Sequence, residues 1–291
     1  MLDVLPGSPG AEILGPQATP DQVASFNETT GFNDPAVSRY VHWVGDLFRG
    51  DFQRSVRSNQ PVLDTIRERL PVTLELALVA EFLALALAIP VGLWSAHGVG
   101  GRLDRIVTTT SFGLMSIAPF VLALILVFAF SITLHWLPVT GWVALTRDPV
   151  DNLRHAALPI VTLTAAELAV YVRLMRADAL ATLNQPFVTF AKAKGLPQRR
   201  ILLRHVLRPS SVSLVTLAGV NLGRLIGGTV IVEQVFGLPG IGRAAVQSIS
   251  SKDFFLIQGI VVFVATGYVV LNAMVDVLYG IIDPRIRRRV V

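Results

Sequence analysis

Apolar residues gather into five runs separated by short polar segments. The runs cover residues 70–96, 106–136, 157–175, 211–236 and 255–282. Each nears or exceeds the roughly 20 residues a helix needs to cross a bilayer's hydrocarbon. A membrane β-barrel would show short alternating segments instead. The pattern therefore predicts an all-α polytopic membrane protein with five spans. Pro71 suits the first turn of the first span, and Pro119 predicts a kink in the second.

The polar segments carry their own signals. Residues 1–70 form an N-terminal segment broken at Pro6, Gly7, Pro9, Gly10, Gly31 and Pro35. Thr19-Pro20-Asp21-Gln22 predicts a helix start, with Thr19 as N-cap and Pro20 at the first helical position. Val37, Tyr40, Val41 and Val44 follow Asp34-Pro35 at helical spacing, which predicts an amphipathic helix against the membrane face. Residues 137–155, with Pro138, Gly141 and Pro149, read as an ordered loop. No internal repeat is evident.

Composition agrees with the pattern. The chain has 291 residues, 52% hydrophobic and 15% charged, where soluble domains carry about 25% charged. Mean hydropathy is +0.59. The net charge of +5 resides in loops beside spans, which reads as positive-inside loops rather than as a nucleic-acid surface. There are no cysteines, so disulfides and thiol chemistry are excluded.

Loop charge sets orientation. Residues 97–105, 180–209 and the tail from Asp283 hold twelve Lys/Arg, whereas 137–155 and 237–254 hold four. The first set is therefore expected in the cytoplasm, with the C-terminus. Trp94, Trp136, Trp142 and Tyr279 fall near span ends, as interfacial aromatics do. This orientation puts residues 1–70 outside, although that segment has no span of its own. The opening Met-Leu-Asp-Val-Leu-Pro-Gly reads like the exit of a helix, so the expectation is a six-span form with one helix preceding this chain. The expected organisation is an extracytoplasmic segment at 1–70, a transmembrane domain at 71–284 and a basic tail at 285–291.

Candidate chemistry is sparse. No Gly-Lys-Ser/Thr is present, so a P-loop is excluded, and HExxH is absent. Five scattered histidines give no metal-ligand spacing. Gly237-Leu-Pro-Gly-Ile-Gly lacks the GxGxxG spacing and reads as a tight external re-entrant turn. No catalytic, cofactor or metal residue is assigned. Gly219, Gly223 and Gly227 recur every four residues, beside Arg224, and point to close helix packing or a pathway face. Glu75, Glu81, Glu167, Arg173, Arg224, Glu233 and Asp276 fall at membrane depth, where a charge costs roughly 2.5–3.5 kcal/mol on insertion scales. Glu75, Arg173 and Glu233 are near enough to span ends to snorkel. Glu81, Glu167, Arg224 and Asp276 read as ion pairs or as a polar pathway lining.

The densest signal is residues 187–209, FVTFAKAKGLPQRRILLRHVLRP. It holds six Lys/Arg (Lys192, Lys194, Arg199, Arg200, Arg204, Arg208), no acid, and apolar residues at helical spacing. Gly195-Leu196-Pro197 should split it into two short helices, 185–194 and 198–207. The first would present Phe187, Phe190 and Ala191 on one side, and the second Ile201, Leu202 and Val206. Attraction to anionic lipid is the alternative use of such a segment.

This stretch resembles the cytoplasmic coupling loop of ABC-importer permeases, a pattern of Glu-Ala-Ala, three residues, Gly, about nine residues, and Ile-x-Leu-Pro. Ala191 and Gly195 match the second Ala and the Gly. His205-Val206-Leu207-Arg208 takes the place of Ile-x-Leu-Pro, and Thr189 and Phe190 replace Glu and Ala. The departure resembles the dipeptide/oligopeptide branch, which also includes glutathione and nickel importers, although Thr189 stands where that branch has Arg. Leu5-Pro6-Gly7-Ser8-Pro9, Gly50-Asp51-Phe52, Arg69-Leu70-Pro71-Val72-Thr73-Leu74, the run from Gly227 to Glu233, Pro239-Gly240-Ile241-Gly242 and Asp283-Pro284-Arg285-Ile286-Arg287 resemble the family in the same order. The resemblance implies an ABC-importer permease fold in the cell membrane, moving di- or oligopeptides without a cofactor of its own. It implies a second permease, two ATPases that bind ATP and Mg, and an extracytoplasmic binding protein as partners. It assigns ATPase coupling to Phe187, Phe190, Ala191, Gly195, Leu196, Arg204, His205 and Leu207. A channel or ion-coupled carrier using Glu81, Glu167 or Asp276 is the competing class; inverted repeats would favour it.

Overall fold

The computed structural model describes residues 9–15 and 17–282. The expectations on residues 5–8, on 283–287 and on the tail 285–291 lie outside the described residues, as do the side chains of Asp276 and Tyr279. The described chain is helical, apart from an isolated antiparallel bridge between Arg54 and Pro61.

Two compact units divide the chain: residues 1–70 with 244–265, and 71–243 with 266–291. In the first unit, α1 (Pro9–Leu14) and α2 (Pro20–Thr29) are joined by the Gly10 amide donating to Asn27 Oδ1 at 3.0 Å. α2 starts at the expected N-cap, Thr19, which forms a capping box: the Gln22 amide donates to Thr19 Oγ1 and Gln22 Oε1 accepts from the Thr19 amide. α3 (Ala36–Phe48) is amphipathic, and Val37, Tyr40, Val41 and Phe48 are exposed. The Asp253 carboxylate binds the Ser55 hydroxyl and the Val56 amide, fastening the segment after α3 to the start of a later helix.

The second unit contains most of the spans. α4 (Val62–His97) begins about two turns before the expected first span, so Pro71 lies inside the helix rather than in its first turn. The early start is explained by burial of Val62 and Ile66, a gain that outweighs the hydrogen bond lost at Pro71. α5 (Arg102–Ser116) and α6 (Pro119–Leu126, continued by a π-helical turn Val127–Thr133) meet at 104°. The kink expected at Pro119 is thus a break, and among the described residues four helices, or five if this pair is one span, are long and apolar enough to cross a membrane. α7 (Pro149–Leu183) starts inside the expected loop 137–155: Asp148 Oδ1 accepts from the Val150 and Asp151 amides, and Pro149 occupies the first turn.

The basic stretch gives α8 (Pro186–Ala193), then α9 (Gln198–Arg200), a π-helical turn Ile201–Val206 and α10 (Leu207–Val235). The second short helix expected at 198–207 is therefore corrected. It continues without interruption into the membrane helix, because Ile201, Leu202 and Val206 are buried in the core and leave no reason for the chain to turn. α11 (Ile241–Ser250) and α12 (Phe254–Ile282) are the last helices among the described residues.

Two apolar clusters form this unit's core. One joins α4, α7, α8, the π-helical turn and α10; the other joins α4, α6, α7 and α10. α4 contributes Leu76, Ala80, Ala84, Ala88, Gly92 and Ala96, all buried and four residues apart. Small side chains on one stripe let helix backbones approach closely. At Gly92 a Cβ would lie 2.8 Å from Met175 Cβ and 3.0 Å from the Val172 carbonyl oxygen. At Gly227 a Cβ would meet nothing within 4 Å. Gly92→Val is therefore expected to destabilise the chain by about 1–3 kcal/mol, and Gly227→Ala to leave stability unchanged or slightly raised. Thermal unfolding in detergent checks both.

Candidate functional site: the basic loop and the polar groups of the spans

The loop begins where α7 ends. Pro186, in the first turn of α8, has no amide hydrogen to leave unsatisfied. Eight residues later the helix stops. The Gly195 amide donates to the Lys192 carbonyl and the Leu196 amide to the Ala191 carbonyl. Gly195 has φ +74°, the left-handed backbone that ends many helices and that a side chain disfavours.

α8 has two faces. Val188 and Ala191, 0% and 6% exposed, pack into the core cluster with α4, α7 and α10. Phe187 and Phe190, 48% and 63% exposed, point away from it. The expectation that Ala191 shares a face with the two phenylalanines is thus corrected. Positions 188 and 191 are three apart and share the inner face, as 187 and 190 share the outer one. Leu196 and Leu207 are half-buried against the same cluster. His205 is half-buried, while Leu203 and Arg204 are exposed.

Polar contacts add to this seating. Ser210 Oγ donates to Thr182 Oγ1 at 2.9 Å, and the Gln198 amide nitrogen lies 3.0 Å from His97 Nδ1 at the end of α4. Nearby, Asp104 accepts two bonds from Arg176, at 2.6 and 2.9 Å, with further bonds from Ser95 Oγ and the Gly100 amide. α4, α5 and α7 are tied together at this end. The Lys194 ammonium lies 4.7 Å from the centre of the Phe190 ring, so the outer face combines aromatic surface with positive charge. Among the described residues, none of the loop's six cations pairs with a carboxylate.

The candidate groups at membrane depth separate into two sites. In one, the Tyr171 hydroxyl donates to Glu81 Oε1 at 2.7 Å, and Asn221 Nδ2 donates to Glu167 Oε2 at 2.9 Å and approaches the Tyr171 oxygen at 3.2 Å. Arg224 lies 3.7 Å from Glu167 Oε1. The second site holds Glu233. Its expected snorkelling is corrected, because the residue is fully buried. Glu233 Oε1 accepts from Thr73 Oγ1 at 2.7 Å, and Oε2 from the Arg243 amide at 2.8 Å; the Ile241 amide donates to Thr73 Oγ1 at 2.9 Å. A carboxylate thus caps the first turn of α11, where backbone N–H groups are unpaired. Gly240 exists for this contact: a Cβ there would lie 2.3 Å from the Glu233 carboxyl carbon. Pro239-Gly240-Ile241-Gly242 marked the turn in the sequence, but nothing there named Glu233 as its partner.

The three glycines do not share one environment. A Cβ at Gly223 would lie 2.7 Å from the Tyr268 ring, so Gly223 serves packing against α12; Gly227 faces open space, and Gly219 is half-buried. A spacing of four residues drifts by about 40° per step on a 3.6-residue helix. Arg173 lies at the surface, with its guanidinium 4.8 Å from the Phe112 ring centre. Among the described residues no cluster of His, Cys, Asp and Glu has metal-site geometry.

Membrane-length helices, charges enclosed among them and a basic loop seated in their core define an integral membrane protein of polytopic helical class. Residues 88–288 match the family described as binding-protein-dependent transport system inner membrane component, and the chain belongs to it. Over 99% of its length it is 36% identical to a probable peptide ABC transporter permease protein y4tP of Sinorhizobium fredii, covering 92% of that protein. It is 37% identical to the oligopeptide transport system permease protein AppB of Bacillus subtilis and 33% to the glutathione transport system permease protein GsiC of Escherichia coli K12, covering 92% and 91% of them and matching over 98% of its own length in each case. Among solved structures, an inward-facing MetNI methionine ABC transporter chain superposes with TM-score 0.63 at 17% identity, covering 75% of this chain and 96% of that one. This likeness is one of fold.

The inward packing of Ala191 generates a contrast between neighbours. Ala191→Leu is expected to cost about 1–3 kcal/mol by overpacking, and Phe190→Leu no more than about 0.5 kcal/mol. Thermal unfolding of the purified chain measures both.

Proposed function

We propose that this chain is a transmembrane permease subunit of an ATP-driven importer for di- or oligopeptides, coupled to its ATPases through residues 185–209. The substrate class rests on the relatives named for peptide and oligopeptide transport, which match nearly the whole chain. The observation that carries the coupling reading is the two-faced loop: one side is fixed in the core, and the other presents Phe187 and Phe190 among cations that pair with no carboxylate of the described residues.

In this reading the loop lies in the cytoplasm, as does the C-terminus. Phe187 and Phe190 insert into an apolar cleft on an ATPase subunit, and Arg204, with the neighbouring cations, faces its rim. Gly195 sets the bend between α8 and α9. Ala191, Leu196 and Leu207 hold the loop to the core, with His205 at its margin. Closure of two ATPases on ATP moves two such loops, one from this chain and one from a second permease. Because the π-helical turn and α10 are continuous, displacement of the loop is transmitted directly to a membrane helix. An extracytoplasmic binding protein delivers the substrate. ATP and Mg belong to the ATPases, and this chain performs no covalent chemistry.

Glutathione is the alternative substrate that a specific relative favours. It is itself a tripeptide with a γ-linkage, so the same pathway chemistry serves both. Uptake by proteoliposomes containing the whole complex tests the assignment. ATP-dependent entry of labelled peptide is expected, with glutathione and nickel ions as competitors. Gly195→Val should lower uptake at least about tenfold, the equivalent of 1.4 kcal/mol, while membrane insertion stays normal. Wild-type uptake in that variant, or uptake that persists without the ATPases, would contradict the reading.

A further inference from the structure

Arg224 is an exposed cation far from either end of its helix. It lies eleven residues before the end of α10, about 16 Å at 1.5 Å per residue, well inside a hydrocarbon layer of about 30 Å. Yet 70% of its side chain is exposed. Its partner Glu167 is 10% exposed and is already engaged by Asn221. The contact at 3.7 Å uses one terminal nitrogen, which leaves guanidinium donors directed elsewhere. A cation at this depth must face protein or water rather than lipid.

The surroundings fit water. Ser213, Thr216, Arg224 and Gln234 are exposed along α10 with Gly227 and Gly228, interleaved with the exposed Val212, Val215, Val220 and Ile231. The exposed large side chains of α4 within the span, Leu78, Phe82, Leu87 and Trp94, carry no charge, and α12 exposes Val261, Val269, Met274 and Val277 beside the uncharged Thr266 and Tyr268. Gly227 and Gly228 lie one turn beyond Arg224, and a Cβ at either would meet nothing within 4 Å. Behind Arg224 the groups are held in place: Glu167 by Asn221, Asn221 against Tyr171, and Tyr171 on Glu81. Glu81 Oε2 is buried without a hydrogen-bond partner among the described residues.

We propose that Arg224 is a substrate-recognition residue in the translocation pathway, binding the C-terminal carboxylate of a peptide beside the bare backbone at Gly227 and Gly228. A guanidinium matches a carboxylate with two parallel N–H···O bonds, and the incoming carboxylate replaces the single contact to Glu167. Glu167 keeps its bond from Asn221 meanwhile and takes Arg224 back once the substrate has left. This inference rests on the transport reading above and adds a residue and a ligand group to it.

The absence of cysteine makes a direct test available. Gly227→Cys, with Gly228→Cys as the second variant, gives this chain a unique thiol where the structure has space for one. In the assembled complex in vesicles, labelling of this chain is followed with a sulfonate-bearing and a trimethylammonium-bearing methanethiosulfonate. The thiol is expected to react with both and to prefer the anion. Arg224→Gln should lower the anion-to-cation rate ratio about tenfold, and Arg224→Lys should preserve it. Millimolar trialanine should slow labelling at least threefold, and trialanine amide should not. A thiol inert to both charged reagents but reactive with an apolar maleimide would overturn the proposal. So would a ratio indifferent to Arg224→Gln, or equal protection by acid and amide. ATP-driven uptake by wild-type complex in the same vesicles separates the two claims: uptake without these labelling effects sinks the role of Arg224 and leaves the importer reading standing.

Discussion

The seating of the basic loop in the helix core is the interaction on which the rest depends. Val188, Ala191, Ile201, Leu202 and Val206 are buried against α4, α7 and α10. A short amphipathic helix of eight residues has little stability of its own in water, so α8 exists because its inner face is packed. Once that face is fixed, Phe187 and Phe190 are held outward, and a force on them reaches α10 through an unbroken backbone. Close approach of α4 and α7, made possible by the alanine and glycine stripe, provides the surface on which the loop rests.

The second constraint is that lipid supplies no hydrogen bonds. Charged and polar groups in spans must be satisfied by protein or by water. Glu233 meets this with Thr73 and the first turn of α11, a structural solution. Glu81, Tyr171, Asn221 and Glu167 meet it with one another. Arg224 is only partly satisfied in this way, and most of its side chain stays exposed.

Much of this was legible in the sequence because hydrocarbon selects strongly. The apolar runs, the Thr19 N-cap and the break at Gly195 each rest on a local rule, and each is present in the structure. The errors have local causes too. Pro71 suits a first turn by local rule, whereas the earlier helix start rests on burial of Val62 against Gly259, far away in sequence. Ala191 was grouped with Phe187 and Phe190 because all three are apolar, although a one-residue offset turns a side chain through 100°. Glu233 looked able to snorkel because its partners, Thr73 and Arg243, lie on other elements. In each case periodicity located the helix correctly, and only tertiary packing could say which face looks inward.

The most direct test of the central claim uses a single thiol at Phe190, in the otherwise cysteine-free chain. Labelling of Phe190→Cys by a water-soluble maleimide is measured in the permease pair alone and in the complex with its ATPases. The account predicts rapid labelling in the first and about tenfold slower labelling in the second, while a thiol at the exposed Thr146, in the loop 137–155, is unaffected. Equal labelling of Phe190→Cys in the two states would contradict it.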